Sequence, residues 1–306
     1  MGKLPKTLRE TIKAITKTHL IEKNGLAMGQ CLTAVGWVGG TLPELYEDKG
    51  MVELSMADVA GGGFAVGAAL SGRRPMYIIR YQGFNWFNAP IIINYACKSK
   101  EIWGVPCPMF IRSIAMEGGI GPVAGSSHHS LYYRMPGVII RSPMTPLEYE
   151  KCYDDFMDGD DVYYVSEHRG SYGNSEELEN IAFSKPDICL FPISITRFAA
   201  MDAAEILTKK GYKIAVHHIE TIKPFRIDSE MKRSLEAAGT GLVLDDDYCD
   251  GVAKAIAFDL VKETGSVMEV LGLENKTAGF SEKVDNLPPD KLDIEKKVID
   301  ILERKK

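Results

Sequence analysis

The sequence predicts an α/β protein built from two doubly wound domains. Short apolar runs typical of buried strands alternate with helical patterns along the whole chain, the order that produces βαβ units and parallel sheets. The length of 306 residues suits two domains of ordinary size. A polar, turn-rich stretch from Arg169 to Asp187 is typical of a linker. We therefore expect one domain over residues 1–185 and a second over residues 186–306.

The first domain is expected to begin with a helix and to continue as alternating strands and helices. Thr7 and Glu10 have the spacing of a capping box, which predicts where that helix starts. The Gly- and Ala-rich segment Asp58–Leu70 predicts a helix that packs closely on a sheet. Thr145 followed by Pro146 predicts another helix start. The other elements predicted are strands at Met51–Leu54, Met76–Ile79, Pro108–Ile111, Val138–Ile140 and Val162–Val165, and a helix at Trp86–Lys98.

The second domain shows the same alternation, and a long loop interrupts the first. Residues 115–135 form a glycine-rich segment without a clear helical or strand pattern, and a loop of that length in a compact domain is usually functional. The elements predicted in the second domain are strands at Ile188–Ile195, Lys213–His218 and Gly241–Leu244, and helices at Ala199–Lys210 and Ser229–Ala238.

Composition excludes several classes of function. The 42 acidic and 36 basic residues give a net charge of −6, so no basic excess indicates nucleic-acid binding. The six cysteines are scattered without a Cys-x-x-Cys pair, which is typical of a reduced cytoplasmic protein that holds no structural metal. No apolar run reaches the length of a membrane span or has the form of a signal peptide. We expect a cytoplasmic protein that binds neither a membrane nor nucleic acid.

An aromatic run is the first candidate binding feature. Tyr81, Phe84 and Phe87 recur at intervals of three directly after a predicted strand. On a helical turn this spacing puts three rings on one side, where they could stack on a flat heteroaromatic ligand. The alternative is that the stripe is ordinary core packing.

Asp58 is the second candidate, because it lies where a predicted strand gives way to a helix. In open α/β sheets ligands bind at the carboxyl ends of the strands, so a carboxylate there could bond to a ring nitrogen. The alternative is that Asp58 caps the helix. The following run Gly61–Gly63 lacks the pattern of a phosphate-binding loop and indicates close packing instead.

His128 and His129, in the glycine-rich loop, are candidates for proton transfer. Adjacent residues point apart, so we do not expect them to share a metal. The pair His217 and His218 ends a predicted strand, and we expect neither to be functional. The run Asp245–Asp247 could bind a cation but is more typical of a solvated turn.

In their order, these motifs resemble the β subunit of the decarboxylating component of 2-oxo acid dehydrogenases, in the transketolase superfamily of thiamine diphosphate enzymes. The matching stretches include LSMADVAGGGFAVGAALSGRRP, the aromatic run, the His-Ser loop, MPGVIIRSPMTPLEYEKCYDDFMDGDDVYYVSEHR, HIETIKP and DDDYCDGVAKAI. The resemblance covers nearly the whole chain. It implies a pyrimidine-binding domain followed by a transketolase C-terminal domain.

The resemblance also implies roles for individual residues. The aminopyrimidine ring of the cofactor would stack on Tyr81, Phe84 and Phe87, and His129 would line the substrate side of the thiazolium. The acid that activates the cofactor is a glutamate in this family, whereas this chain has Asp58. The family's Gly-Glu-Asp segment is replaced by Gly29, Gln30 and Cys31. These departures indicate a divergent subfamily, or a subunit whose catalytic contribution has changed.

The resemblance further implies a partner subunit. In this family the diphosphate and Mg²⁺ are held by a domain carrying Gly-Asp-Gly, a motif that this sequence lacks. We therefore expect an α-type partner in an α2β2 heterotetramer with a β–β contact, and no metal ligands in this chain. The implied activity on a small-molecule substrate is decarboxylation of a 2-oxo acid or transfer of a ketol or acyl unit. The alternatives are a non-catalytic scaffold subunit and an unrelated α/β ligand-binding protein, the latter disfavoured by the ordered motifs.

Overall fold

The structure of the chain is a computed structural model that describes residues 6–117, 125–279 and 283–305. The chain divides into two compact units, of which the first extends to Glu177 and the second begins at Leu178. Each unit contains a parallel sheet with helices between its strands, so the predicted α/β class is confirmed.

Six parallel strands form the sheet of the first unit. Their order is β2-β1-β3-β4-β6-β5, and each neighbouring pair is parallel. Strands β3, β4 and β6 are buried along their whole length, as expected for the middle of a sheet covered on both faces. The strands are β1 (Leu26–Gln30), β2 (Met51–Leu54), β3 (Pro75–Ile79), β4 (Met109–Ala115), β5 (Val138–Arg141) and β6 (Val162–His168).

Three helices of this unit begin where the sequence predicts. Helix α1 (Leu8–Ile21) has the complete capping box, in which Thr7 and Glu10 bond to each other's backbone N–H groups. Helix α3 (Asp58–Leu70) has the predicted bounds. Helix α7 (Pro146–Asp158) is capped by the Thr145 side chain. Between α3 and α7 the structure has α4 (Asn85–Ile91), α5 (Cys97–Trp103) and α6 (His129–Tyr133).

The segment that follows β3 is not the single helix that the sequence predicts. A 3₁₀ turn (Gln82–Phe84) leads into α4, and a π-helical turn (Ile92–Ala96) joins α4 to α5. Pro90 lies inside α4 and removes one helical N–H donor just before the π turn. The change in helical pitch means that intervals of three no longer keep side chains on one face.

A left-handed turn follows β1. The segment labelled α2 (Ala34–Gly40) has positive φ at every residue from Val35 to Gly39. Two of these side chains contribute to packing, since Val38 is buried and Trp37 packs against the core. Just before the turn, the Glu53 carboxylate of β2 accepts bonds from the backbone N–H groups of Leu32 and Thr33 at 3.0 and 3.2 Å. This contact ties the left-handed turn to the edge strand of the sheet.

The second unit has a four-stranded parallel sheet in the order β11-β10-β7-β8. Its apolar core lies between this sheet and two helices, α8 (Thr196–Lys209) and α11 (Lys291–Arg304). The elements are β7 (Ile188–Pro192), α8 (Thr196–Lys209), β8 (Ile214–Val216), β9 (Thr221–Lys223), α9 (Ser229–Ala238), β10 (Thr240–Tyr248), α10 (Val252–Thr264), β11 (Val267–Leu273) and α11 (Lys291–Arg304).

The run Asp245–Asp247 corrects one expectation from the sequence. It is not a solvated turn, because β10 continues through it and all three side chains are buried. Ser194 donates to Asp246 at 2.9 Å, so the run is part of the hydrogen-bonded interior of the second unit. Across the described ranges, no helix combines the length and the apolar character needed to cross a bilayer.

Candidate functional site

The carboxyl ends of three neighbouring strands of the first unit open into one cavity of about 140 Å³. Strand β1 lies between β2 and β3, so the segments that leave these strands face one another. The cavity is lined by Gln30 and Cys31 after β1, Met56 and Asp58 after β2, Tyr77 through Tyr81 in and after β3, and Phe84 and Asn88 beyond it.

Asp58 lies in this cavity and does not cap a helix. Ala57 is the N-cap of α3 and provides no side-chain cap, so the capping alternative for Asp58 is wrong. Instead, Asn88 Nδ2 donates a hydrogen bond of 2.8 Å to Asp58 Oδ1. Among the described residues, Asp58 Oδ2 has no hydrogen-bond partner. One carboxylate oxygen is therefore held in place while the other is available to a ligand.

Asn88 is held by groups on both sides of its amide. Its Nδ2 also donates to the Phe84 carbonyl at 3.0 Å, and the Tyr77 hydroxyl donates to its Oδ1. Burial and the Asp58 carboxylate raise the pKa of Tyr77, so its hydroxyl keeps its proton and remains a donor. Gly61 allows α3 to pack here, because a Cβ at that position would lie 3.0 Å from the Tyr77 hydroxyl oxygen. At Gly61 this contact agrees with the predicted close packing, whereas a Cβ at Gly63 would meet nothing within 4 Å.

Two of the three predicted aromatic side chains line the cavity. The rings of Tyr81 and Phe84 lie with centroids 6.2 Å apart and planes inclined by 38°. Phe87 is 53% exposed and is not among the lining residues. The reason is the backbone: Tyr81 is extended, Phe84 ends a 3₁₀ turn and Phe87 belongs to α4. The expectation that all three rings share one side is therefore wrong for Phe87.

Gln30 and Cys31 complete the cavity at the end of β1. They occupy the positions where the resemblance expects acidic residues. Gln30 Nε2 is shielded from solvent and has no hydrogen-bond partner among the described residues, although an unpaired buried amide is costly. Cys31 has a positive φ of 53° and a partly exposed thiol. Gln30 thus carries an unpaired amide nitrogen beneath the surface of the cavity wall.

The two loop histidines lie beside the cavity instead of in its wall. His129 begins α6, is fully buried and has its Nδ1 3.2 Å from Ser166 Oγ on β6. His128 is partly buried, with its ring against Trp86 at a centroid distance of 6.1 Å. Neither histidine is among the residues that line the cavity.

Gln82 connects the histidines to the aromatic wall. Its Nε2 donates to Ser166 Oγ at 2.8 Å, and its Oε1 accepts from the His128 backbone N–H at 2.6 Å. Because Gln82 directly follows Tyr81, the buried side chain fixes the histidine loop relative to the cavity. The structure therefore brings the two groups of predicted residues to one region of the sheet edge.

The sequence reasoning missed Asn88, Tyr77 and Gln82. The sequence contained a signal for Asn88 and Gln82. Each is an amide side chain in an otherwise apolar helix or near the end of a buried strand, where it must find a buried hydrogen-bond partner. Asn88 lies in the run NWFNAPIII, and Gln82 follows the buried strand YII. No signal in the sequence pairs Asn88 with Asp58, since they lie 30 residues apart.

Comparison with known proteins defines the class of this site. Residues 25–174 match the family described as the transketolase pyrimidine-binding domain. The match spans most of the first unit, which contains the cavity, so this unit is similar to pyrimidine-binding domains of the transketolase type.

Two similar proteins are named β subunits of enzymes. It is 25% identical to the β subunit of acetoin:2,6-dichlorophenolindophenol oxidoreductase from Cupriavidus necator over 232 residues, which are 70% of this chain and 68% of that protein. It is 27% identical to the β subunit of the pyruvate dehydrogenase E1 component from Rickettsia bellii over 241 residues, 72% of this chain and 73% of that one. The predicted resemblance to the β subunits of 2-oxo acid dehydrogenases is confirmed.

A solved structure shares the fold along nearly the whole chain. It is described as a split-gene transketolase in the form of an inactive β4 tetramer. The TM-score is 0.73 at 15% identity, and the alignment covers 99% of this chain and 100% of the other. The predicted fold class, a pyrimidine-binding domain followed by a transketolase C-terminal domain, is confirmed.

Proposed function

We propose that this chain is the β-type subunit of a two-chain, thiamine diphosphate-dependent enzyme. The enzyme decarboxylates a 2-oxo acid or transfers a ketol or acyl unit. In this proposal the present chain binds the aminopyrimidine half of the cofactor, and an α-type partner binds the diphosphate and Mg²⁺. The observation that carries the proposal is the cavity of the pyrimidine-binding domain, where an unpaired oxygen of Asp58 lies beside aromatic rings.

The side chains of the cavity fit an aminopyrimidine. Such a ring has two flat faces, ring nitrogens and an amino group. The rings of Tyr81 and Phe84 offer stacking surfaces, and Asp58 Oδ2 is available for a ring nitrogen. Phe87 is left out of this binding wall because the structure places it outside the cavity.

When bound, the cofactor supplies a nucleophilic thiazolium carbon that attacks the substrate carbonyl. The role of Asp58 is to hydrogen-bond to the pyrimidine ring nitrogen and hold a proton there, which favours the tautomer that activates the cofactor. An aspartate reaches one methylene less far than the glutamate of the resembled family. Since a misplacement of about 1 Å can reduce a rate about a hundredfold, the position of this carboxylate is critical.

His129, and its neighbour His128, are proposed to serve the substrate. Buried imidazoles held by hydrogen bonds are suited to proton transfer and to orienting a carbonyl group. The bond from His129 to Ser166 fixes the direction of its ring, and Gln82 fixes the loop that carries both histidines. In this arrangement a histidine would move protons on the substrate without contacting the pyrimidine.

The partner is inferred from what this sequence lacks. It contains no Gly-Asp-Gly motif, and the cavity offers no basic cradle for a diphosphate beyond Arg80. The similar proteins from Cupriavidus necator and Rickettsia bellii are themselves named β subunits. We propose an α2β2 heterotetramer in which β subunits contact each other and each cofactor contacts both kinds of chain.

Reconstitution with an α-type chain tests the proposal. A chain encoded beside this one that carries Gly-Asp-Gly and a later Asn would be co-expressed and co-purified with it. The complex would then be screened with 2-oxo acids in the presence of thiamine diphosphate and Mg²⁺. We expect activity in the wild-type complex, and its collapse in an Asp58→Asn complex that still assembles. An assembled complex that is equally active with Asp58→Asn would favour the alternative of a non-catalytic scaffold subunit.

The isolated chain provides a separate test of the divided site. Calorimetry with thiamine diphosphate and Mg²⁺ should detect no tight binding, because this chain provides only the pyrimidine half. Micromolar or tighter binding by the isolated chain would contradict the division of the site between two subunits.

A further inference from the structure

We propose that Asn88 is a positioning residue that fixes the orientation of the Asp58 carboxylate for the pyrimidine ring. It holds Oδ1 and leaves Oδ2 facing the ligand. The inference rests on the proposed function and deepens it, because it names the groups that make a short aspartate usable at a position where the resembled family has glutamate.

The Asn88 side chain has no freedom to turn. The residue is 1% exposed, and both hydrogens of its Nδ2 are used, at 2.8 Å to Asp58 Oδ1 and 3.0 Å to the Phe84 carbonyl. Its Oδ1 accepts from the Tyr77 hydroxyl. Rotating the amide by half a turn would place Oδ1 against the Asp58 carboxylate and the Phe84 carbonyl, so that acceptors would face acceptors.

Tyr77 stabilises this orientation of the Asn88 side-chain amide. The hydroxyl lies in the interior between β3 and α3, where Gly61 leaves room for it. Since burial and the Asp58 charge both raise the pKa of Tyr77, its oxygen carries a proton at any ordinary pH. The hydroxyl donates to Oδ1 of Asn88, in the same orientation of the amide that lets Nδ2 donate to Asp58 and to the Phe84 carbonyl.

Asn88 also connects the Asp58 carboxylate to Phe84, which is part of the aromatic wall of the cavity. The same Nδ2 group bonds to Asp58 and to the backbone of Phe84. The carboxylate and the backbone of Phe84 are therefore held at a fixed separation by one amide, although they lie on different elements. A pyrimidine that stacks on Phe84 would meet Asp58 Oδ2 at a defined position.

The contact can be tested without a partner subunit by measuring a binding ratio. The probes are thiamine and the thiamine analogue in which the pyrimidine N1′ is replaced by C–H. Their weak affinities for the full isolated chain would be measured by NMR titration. The wild-type chain should prefer thiamine by roughly tenfold, the value of one hydrogen bond to a charged group. A loss of stacking or a general loosening of the fold would weaken both probes alike and leave the ratio unchanged.

Three variants separate positioning from structure. Asn88→Leu removes the bonds to Asp58 and should bring the ratio close to one. Tyr77→Phe deletes a single hydroxyl, keeps the ring, and should give an intermediate ratio. The matched control is Asn85→Leu, because Asn85 is another buried asparagine of α4 but bonds to Ser113 and Tyr164 instead. It should lower the melting temperature and keep the wild-type ratio.

The outcomes separate the positioning role of Asn88 from the proposed contact between Asp58 and the cofactor. A wild-type ratio in both Asn88→Leu and Tyr77→Phe would overturn the positioning role while leaving the pyrimidine site intact. If Asn88→Leu does not fold, the Tyr77→Phe ratio decides alone, with a reduced ratio in support and a wild-type ratio against. A wild-type chain that does not distinguish the two probes would instead contradict the proposed contact between Asp58 and the cofactor. Asp58→Asn should then behave like the wild type.

Discussion

Arg112 and Glu167 form a bidentate ion pair between neighbouring strands of the first sheet, with both side chains essentially inaccessible to solvent. Arg112 Nε and Nη2 donate to the two carboxylate oxygens at 2.7 and 2.9 Å. The hydroxyls of Tyr149 and Tyr172 donate to the same two oxygens at 2.7 and 2.6 Å. Four donors thus satisfy one buried carboxylate, and the pair connects β4 and β6 to the helix and loop around them.

Glu167→Gln is expected to destabilise the chain by about 3–5 kcal/mol, because it leaves the Arg112 charge buried without a counter-charge. Urea denaturation of the two proteins measures this difference in the free energy of unfolding. Lys100→Met is the control, since the Lys100–Asp161 pair is half exposed and 3.4 Å long. Such a pair contributes less than about 1 kcal/mol. Equal losses in the two variants would contradict the special role of the buried pair.

Phe84→Ala in the assembled complex should weaken binding of the cofactor by at least about 1 kcal/mol, because a stacking surface is lost. Phe87→Ala is the matched control: it removes an identical side chain three residues along, outside the cavity. It should leave the cofactor affinity unchanged. The dissociation constants come from cofactor titration, with melting temperatures measured in parallel. If only the melting temperature falls in Phe84→Ala, the ring is part of the core and not of a binding wall.

His129→Ala should lower turnover about a hundredfold or more while cofactor affinity stays the same, because removing a general acid or base typically has an effect of this size. Steady-state kinetics of the reconstituted complex measure the turnover, and titration measures the affinity. His128→Ala is expected to have the smaller effect. The reverse order would show that His128, and not His129, faces the substrate.

Two buried histidines and one partly buried histidine predict loss of stability in acid. Burial lowers the pKa of His19 and His217, and burial together with the Arg197 charge lowers the pKa of His218 to about 3. The unfolded chain binds protons to these imidazoles near pH 6.5, whereas the folded chain does not. Stability should therefore be fully present above about pH 6.5 and fall as the pH decreases from there toward 3.

Urea denaturation between pH 6.5 and 5 tests this expectation, before most carboxylates begin to titrate. His218→Gln, which cannot bind a proton in this range, should reduce the slope of the unfolding free energy against pH by up to about 1.4 kcal/mol per unit. An unchanged slope would mean that His218 titrates normally in the folded protein.

Local signals in the sequence were sufficient for much of the fold. Caps are decided by residues within one helical turn, and for this reason Thr7 and Thr145 located two helix starts. The alternation of apolar runs predicted parallel sheets because it, too, can be recognised from neighbouring residues. The π turn after Pro90 could not be predicted, because it depends on how the helix packs and not on a residue pattern.

The sequence predicted several residues of the candidate site but not the hydrogen bonds between them. Asp58, Tyr81 and Phe84 follow strand ends, and parallel topology brings strand ends together. Contacts such as that between Asn88 and Asp58 join residues distant in the chain, so no local pattern could reveal them. The burial of Asp245–Asp247 was missed for a similar reason, since a run of three acids is solvated unless the fold supplies donors to it.

In the left-handed turn after β1, the usual order of conformational preference is reversed, so that glycine is favoured over residues with a Cβ. Val35, Trp37 and Val38 have φ values of 52–57°, a conformation that is natural for D-amino acids and that costs L-residues with a Cβ roughly 1–2 kcal/mol each. Val35 is 61% exposed, so its side chain gains little from burial that could offset this cost. In a right-handed helix a change from valine to glycine is harmful. Here Val35→Gly should be tolerated without loss of stability, and a D-valine introduced by chemical synthesis at this position should fit the backbone better than the natural residue does.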